Sequence, residues 1–255
     1  MDTVIPIAAG FIVGVLIGLT GMGGGALMTP FLIIFMKLEP VLAVGTDLAF
    51  AAITKISGGI KHRREKNVSF DKVIWIAAGS VPASFFSSQL LLQSEPATSR
   101  LVSQLPQLLG VVLILVGLII LARVLRVIGP KEKIEILWPS AASLVVIGAI
   151  GGTLVGLTSI GGGTVIMALL LIFFAIPLNQ LVGIDVVHGA VLAVLTAASY
   201  AMAGQVDWNL VMWLVVGSIP GVWLGAHMVK RINRKWVRGF LAILILLAGA
   251  KLLFS

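Results

Sequence analysis

Two glycine-rich elements have residue types and spacing that suit ligand binding. GLTGMGGG occupies residues 18–25 and GLTSIGGG occupies residues 156–163. Glycine lets the backbone come close to a ligand. A helix that begins at such a turn directs its free N–H groups and the positive end of its dipole towards it, which suits a small oxyanion. The candidate substrate-binding residues are Thr20, Gly21, Gly23, Gly24, Gly25, Thr158, Ser159, Gly161, Gly162 and Gly163.

The glycines also have a purely structural interpretation. Small residues four apart let membrane helices pack closely without any ligand. For a single motif the two interpretations are balanced. Two copies in register, each at a predicted helix break, favour binding.

Lys55 and Asp47 lie within an apolar segment, where an ionisable side chain is costly and therefore a candidate for function. They are eight residues apart, close to two helical turns, so they share a helix face. Lys55 is a candidate counter-charge for an anion, or a partner of an acid. The alternative is that its long side chain extends to the cytoplasmic interface.

Asp185 and His188 are three residues apart and share a face of the equivalent helix in the second half. They suit proton binding, because histidine changes charge near neutral pH. Together with Asp47 they are candidates for coupling or gating. The alternative is that Asp47 and Asp185, at matching positions, cap or tie the start of their helices.

The composition requires a membrane around these residues. The chain has 255 residues, 59% hydrophobic and 11% charged, with a mean hydropathy of +1.13, whereas an average soluble domain is roughly 45–50% apolar and about 25% charged. This predicts an all-α polytopic membrane protein and excludes a soluble globule. The chain contains no cysteine, which excludes disulfides and thiolate sites. The lysine and arginine residues that give the net charge of +8 flank apolar spans, as in the cytoplasmic loops of membrane proteins, so we expect no nucleic-acid partner.

An internal repeat relates the two halves. At an offset of 138, residues 16–82 match residues 154–220 with 20 identities in 67 pairs. We therefore expect one membrane domain made of repeat one (1–130) and repeat two (131–255). Each repeat contains four apolar blocks: A (4–36 and 139–174), B (41–60 and 180–203), C (72–92 and 209–229) and D (105–128 and 236–254).

The loop charges predict that the repeats are inverted. The B–C loop of repeat one, residues 61–66, is strongly basic and should be cytoplasmic, whereas its counterpart at 204–207 carries no positive charge. Such a flip requires an odd number of crossings per repeat. Block A, which the glycines interrupt, must then form a helical hairpin. We expect six plain spans, two hairpins and both termini outside.

The ordered motifs resemble the TauE/SafE-type sulfite exporter family. The two glycine elements, residues 44–55, and the matched stretches 67–70 and 205–208 carry the resemblance, which covers nearly the whole chain. It implies a permease for sulfite or organosulfonate anions in the cytoplasmic (inner) membrane of a prokaryote. Composition and spacing by themselves support only an anion-sized site.

Matched broken helices in inverted repeats are typical of secondary transporters working by alternating access. We therefore expect a small anionic substrate, a lipid bilayer, and a proton or sodium as coupling ion, with no metal or other cofactor. An anion channel, or a transporter of a different carboxylate or inorganic anion, is the alternative. The sequence lacks the set of catalytic residues that an enzyme would require. Two matched helix breaks would have no function in an assembly subunit. The sequence is compatible with a homo-oligomer.

Overall fold

The computed structural model describes residues 3–20, 25–64, 69–93, 100–125, 140–174, 178–228 and 234–254, and every regular element in them is helical. The predicted all-α class is confirmed. The first half contains α1 (Val4–Thr20), α2 (Gly25–Ile34), α3 (Pro40–Arg64), α4 (Phe70–Leu92), α5 (Arg100–Ser103) and α6 (Leu105–Val124). The second half contains α7 (Ala141–Thr158), a π-helical turn (Gly162–Ile166), α8 (Met167–Phe173), α9 (Leu178–Met202), α10 (Trp208–Met228) and α11 (Arg234–Leu253).

Five helices among the described residues are long and apolar enough to cross a membrane: α4, α6, α7, α9 and α10. Large apolar side chains remain exposed on their outer faces, such as Phe86, which is 70% exposed, and Trp223, which is 79% exposed. A soluble protein rarely tolerates a wide apolar surface of this kind. The chain is a multi-pass membrane protein.

The basic stretch after block B differs from the expectation. It was expected to be a loop from residue 61, but α3 continues as a helix to Arg64. Lysine and arginine have high helix propensity, and their charges interact favourably with the negative end of the helix dipole. The helix therefore extends beyond the apolar block into its basic flank. In block D of repeat one, in contrast, the helix is shorter than expected. The apolar block extends to residue 128, whereas α6 ends at Val124.

The two halves pack reciprocally. Each bound of α9 lies 138 residues after the matching bound of α3, as the repeat predicts. The helix α1 packs on α10, and its counterpart α7 packs on α4. The helices α3 and α9 pack on each other, as do α6 and α11. Each repeat therefore places its first helix against the third long helix of the other.

Glycines outside the turns account for two of these contacts. In the α1–α10 pair, a β-carbon at Gly14 would meet the backbone of Ser218, and one at Gly221 would meet the backbone of Phe11. In the α4–α7 pair, a β-carbon at Gly152 would meet the backbone of Ser80. Small residues at such positions let membrane helices approach closely enough for backbone packing.

Candidate functional site

Lys55 reaches from α3 into the second half of the chain. Its Nζ atom packs against Gly189 in α9 and against Gly162, the first residue of the π-helical turn. A β-carbon built on Gly162 would lie 3.4 Å from Nζ, and one built on Gly189 would collide with it. The side chain is half-buried. The ammonium group therefore lies between helices of the two halves of the chain.

Three buried ionisable side chains lie close enough to this ammonium to be affected by its charge. Lys55 acts electrostatically on Asp47, Asp185 and His188, and none of the three is more than 3% exposed. The structure thus brings together the lysine and all three candidate coupling residues. Within the described residues, no three His, Asp or Glu side chains are grouped as metal ligands would be.

Asp47 is held by a neighbouring helix. Thr29 Oγ1 in α2 donates a hydrogen bond of 2.5 Å to Asp47 Oδ2. The Ser159 hydroxyl lies beside the same carboxylate without reaching hydrogen-bond geometry, so Asp47 Oδ1 and Ser159 Oγ have no partner among the described residues. Asp47 therefore ties α3 to α2, which is one of the two structural roles considered for it.

The capping role is wrong for both aspartates. Asp47 lies seven residues after Pro40, where α3 begins, and Asp185 lies seven residues after Leu178, where α9 begins. A capping side chain binds N–H groups in the first turn of its helix. Both carboxylates are two turns too deep for that, because each helix starts well before its repeated Val-Gly-Xaa-Asp segment.

Asp185 and His188 do not hydrogen-bond to each other. His188 Nε2 lies 2.7 Å from Ser80 Oγ in α4. Asp185 Oδ1 and His188 Nδ1 have no hydrogen-bond partner in the described part of the chain. Buried polar atoms without partners are uncommon in folded proteins. Two of them lie in the region of the half-buried Lys55 side chain.

The second glycine element forms a tight turn between α7 and the π-helical turn. Ser159 has a left-handed conformation, with φ at 61°. The Thr158 hydroxyl serves the turn itself, since it donates to Leu154 O at 2.6 Å and accepts from Ile160 N at 3.1 Å. A β-carbon at Gly161 would meet the backbone of Gly151 in α7. Gly161 therefore has a packing role, whereas Gly162 faces Lys55.

The first glycine element lies largely outside the described residues. The candidates Gly21, Gly23 and Gly24 fall between α1 and α2 in a stretch that the structure does not describe, and so does the Thr20 side chain. Gly25 is the first residue of α2. Gly163 in the second element belongs to the π-helical turn.

Sequence reasoning missed three residues at this site: Thr29, Ser80 and Gly189. Ser80 belongs to a Gly-Ser-Xaa-Pro segment that recurs in both repeats, and Gly189 directly follows His188. These were the available signals. Their partners could not be inferred, because each contact joins helices that are far apart in the sequence.

Comparison with known proteins agrees with this architecture. The family model described as sulfite exporter TauE/SafE matches residues 6–252. The probable membrane transporter protein YjnA of Bacillus subtilis is 36% identical over 97% of this chain and 98% of its own length. The probable membrane transporter protein MJ0441 of Methanocaldococcus jannaschii is 28% identical over 95% of this chain and 92% of its own length.

No solved structure matches the chain. The family model nevertheless spans α1 to α11, and the relatives align over almost their whole lengths. The resemblance indicated by the glycine elements is therefore confirmed, and the chain belongs to the TauE/SafE sulfite exporter family.

Proposed function

We propose that this protein is a secondary transporter of small oxyanions, with sulfite or organosulfonates as the substrate class, and that the anion binds at Lys55. One observation carries the proposal. The half-buried Lys55 side chain of the first half places its ammonium against the glycine backbone of the second half, at Gly162 and Gly189. Such a group is a candidate anion-binding residue, because ionisable side chains within membrane spans are costly and often mark substrate pathways.

The surroundings of Lys55 suit an oxyanion. Ser159 supplies a buried hydroxyl without a partner among the described residues, and Gly162 places no side chain between its backbone and Lys55 where the helix after the turn begins. The first N–H groups of a helix have no partner within it and favour negative charge. The family model adds the sulfur chemistry, since sulfite is a small oxyanion.

Alternating access is the mechanism that fits the packing. Lys55 crosses between the halves where α3 packs on α9. If the repeats are inverted in the cytoplasmic membrane, with both termini outside, rocking one half against the other opens the lysine to each side in turn. The reciprocal packing of α1 on α10 and of α7 on α4 supports such a pair of halves.

The test is flux through purified protein in proteoliposomes, with sulfite, sulfate, thiosulfate, sulfoacetate and taurine as substrates. We expect saturable uptake of at least one sulfur oxyanion. Lys55→Ala should abolish it, Lys55→Arg should alter it because the guanidinium differs in shape and hydration, and Lys61→Ala should leave it near normal. Equal flux for Lys55→Ala and Lys61→Ala would refute the site. Uptake that never saturates would indicate a channel.

A further inference from the structure

The charges around Lys55 do not balance once an anion binds. Two buried carboxylates, Asp47 and Asp185, share one ammonium. If Asp47 neutralises Lys55, a bound anion adds negative charge next to Asp185. Like charges at close range disfavour the ionised form of a carboxylate. A proton on Asp185 removes this repulsion.

The two aspartates are repeat partners, yet they have different surroundings. Asp47 accepts a short hydrogen bond from Thr29, and the Ser159 hydroxyl lies beside it. Hydroxyl groups that donate to a carboxylate favour its ionised form. Asp185 Oδ1 has no hydrogen-bond partner among the described residues, and the side chain is only 3% exposed.

The sequence explains the difference. At the offset of 138, the counterpart of Thr29 is Met167 and the counterpart of Ser159 is Gly21. A thioether does not donate a hydrogen bond, and glycine has no side chain. Both donors that Asp47 has near it are therefore missing from the equivalent positions around Asp185.

We propose that Asp185 is a proton-binding site that takes up one proton with each anion, while Asp47 stays ionised as the permanent counter-charge of Lys55. The inference rests on the proposed function and names its coupling ion. Lys55 on α3 is the described titratable group that acts electrostatically on Asp185, and His188 lies one turn further along the same helix and is acted on by the same lysine. The sequences of α7, the π-helical turn and α8 contain none, and α4 contributes the neutral Ser80.

The consequence is a proton-coupled anion transporter. Below the pH at which Asp185 protonates in the empty protein, the anion binds without further proton uptake. Above it, each anion must bring a proton, and the affinity falls by up to about tenfold per pH unit. An inward proton gradient then drives anion accumulation.

The experiment is calorimetric titration of the full-length protein with methanesulfonate in buffers of different ionisation enthalpy. The sulfonate does not titrate near neutral pH, so any proton uptake belongs to the protein. We expect about one proton per anion for the wild type near neutral pH and none for Asp185→Asn. Asp71→Asn is the matched control, since Asp71 is exposed at the start of α4.

Proton uptake that is absent from the wild type, retained in Asp185→Asn or lost in Asp71→Asn overturns the assignment. If Asp185→Asn does not fold, wild-type proteoliposomes decide. An inward proton gradient must accelerate methanesulfonate uptake, and an unchanged rate overturns the coupling. If neither methanesulfonate nor sulfite binds the wild type at any pH, the proposed function fails and this inference with it. Binding without proton uptake overturns this inference alone.

Discussion

Gly189→Ala tests whether the position of the Lys55 ammonium against α9 matters for anion binding, because it adds a single methyl group at that contact. A β-carbon at Gly189 would collide with Nζ and would lie 3.3 Å from both Cδ and Cε of Lys55. The lysine chain is flexible, so it moves away rather than disrupting α9. Replacing a helical glycine by alanine also favours the helix by up to about 1 kcal/mol. The variant should fold and lose only the position of the ammonium.

The size of the effect follows from the interaction that is lost. A hydrogen bond to a charged group contributes about 1.5–3 kcal/mol. Since about 1.4 kcal/mol corresponds to a tenfold change in Kd, moving the ammonium away should weaken anion binding about ten- to a hundredfold. The loss should appear in Kd, with thermal stability unchanged or higher.

Calorimetric titration with sulfite and methanesulfonate measures this Kd. Gly239→Ala in α11 is the matched control, because a β-carbon there would lie 3.6 Å from Val124 Cγ1, an ordinary contact remote from Lys55. We expect wild-type affinity for the control. If the anion Kd of Gly189→Ala is within about threefold of the wild-type value, the Lys55 ammonium does not bind the anion from its position against Gly189.

Other predictions follow from the same structure. Tyr200→Phe removes the hydrogen bond from Tyr200 OH to Gly156 O, so it should destabilise the protein by about 1–3 kcal/mol, seen as a lower Tm with unchanged anion Kd. Thr158→Val removes the hydroxyl that holds the second glycine turn and should lower Tm as well as weaken anion binding; unchanged values of both would contradict this. Single cysteines at Asn67 and Gln205 should be labelled from opposite sides of the membrane, because the first loop is strongly basic and the second carries no positive charge. Labelling of both from one side would exclude inverted repeats.

Much of the fold could be predicted from the sequence, because it depends on local properties. Apolar composition predicts membrane helices, and twenty-residue apolar blocks correspond to single helices. The repeat predicts that α9 is an equivalent of α3, and the two helices have bounds 138 residues apart. The end of α3 could not be predicted in this way, because hydropathy marks the apolar core whereas the helix continues into basic residues.

The sequence by itself also supplied most of the site. Lys55, Asp47, Asp185 and His188 stand out because ionisable residues are rare in membrane spans. Their types and spacing indicate which chemistry is available. They do not indicate which helix each side chain faces, since a helix has neighbours on several sides.

Only the tertiary structure decided how these residues meet. The packing of α3 on α9 places Lys55 against Gly189, and the packing of α2 on α3 gives Asp47 its Thr29 donor. Two aspartates that are equivalent in the repeat therefore have different hydrogen-bond surroundings among the described residues. The physical reason is that a buried carboxylate takes its properties from donors on other helices, and the packing of those helices depends on contacts along the whole chain.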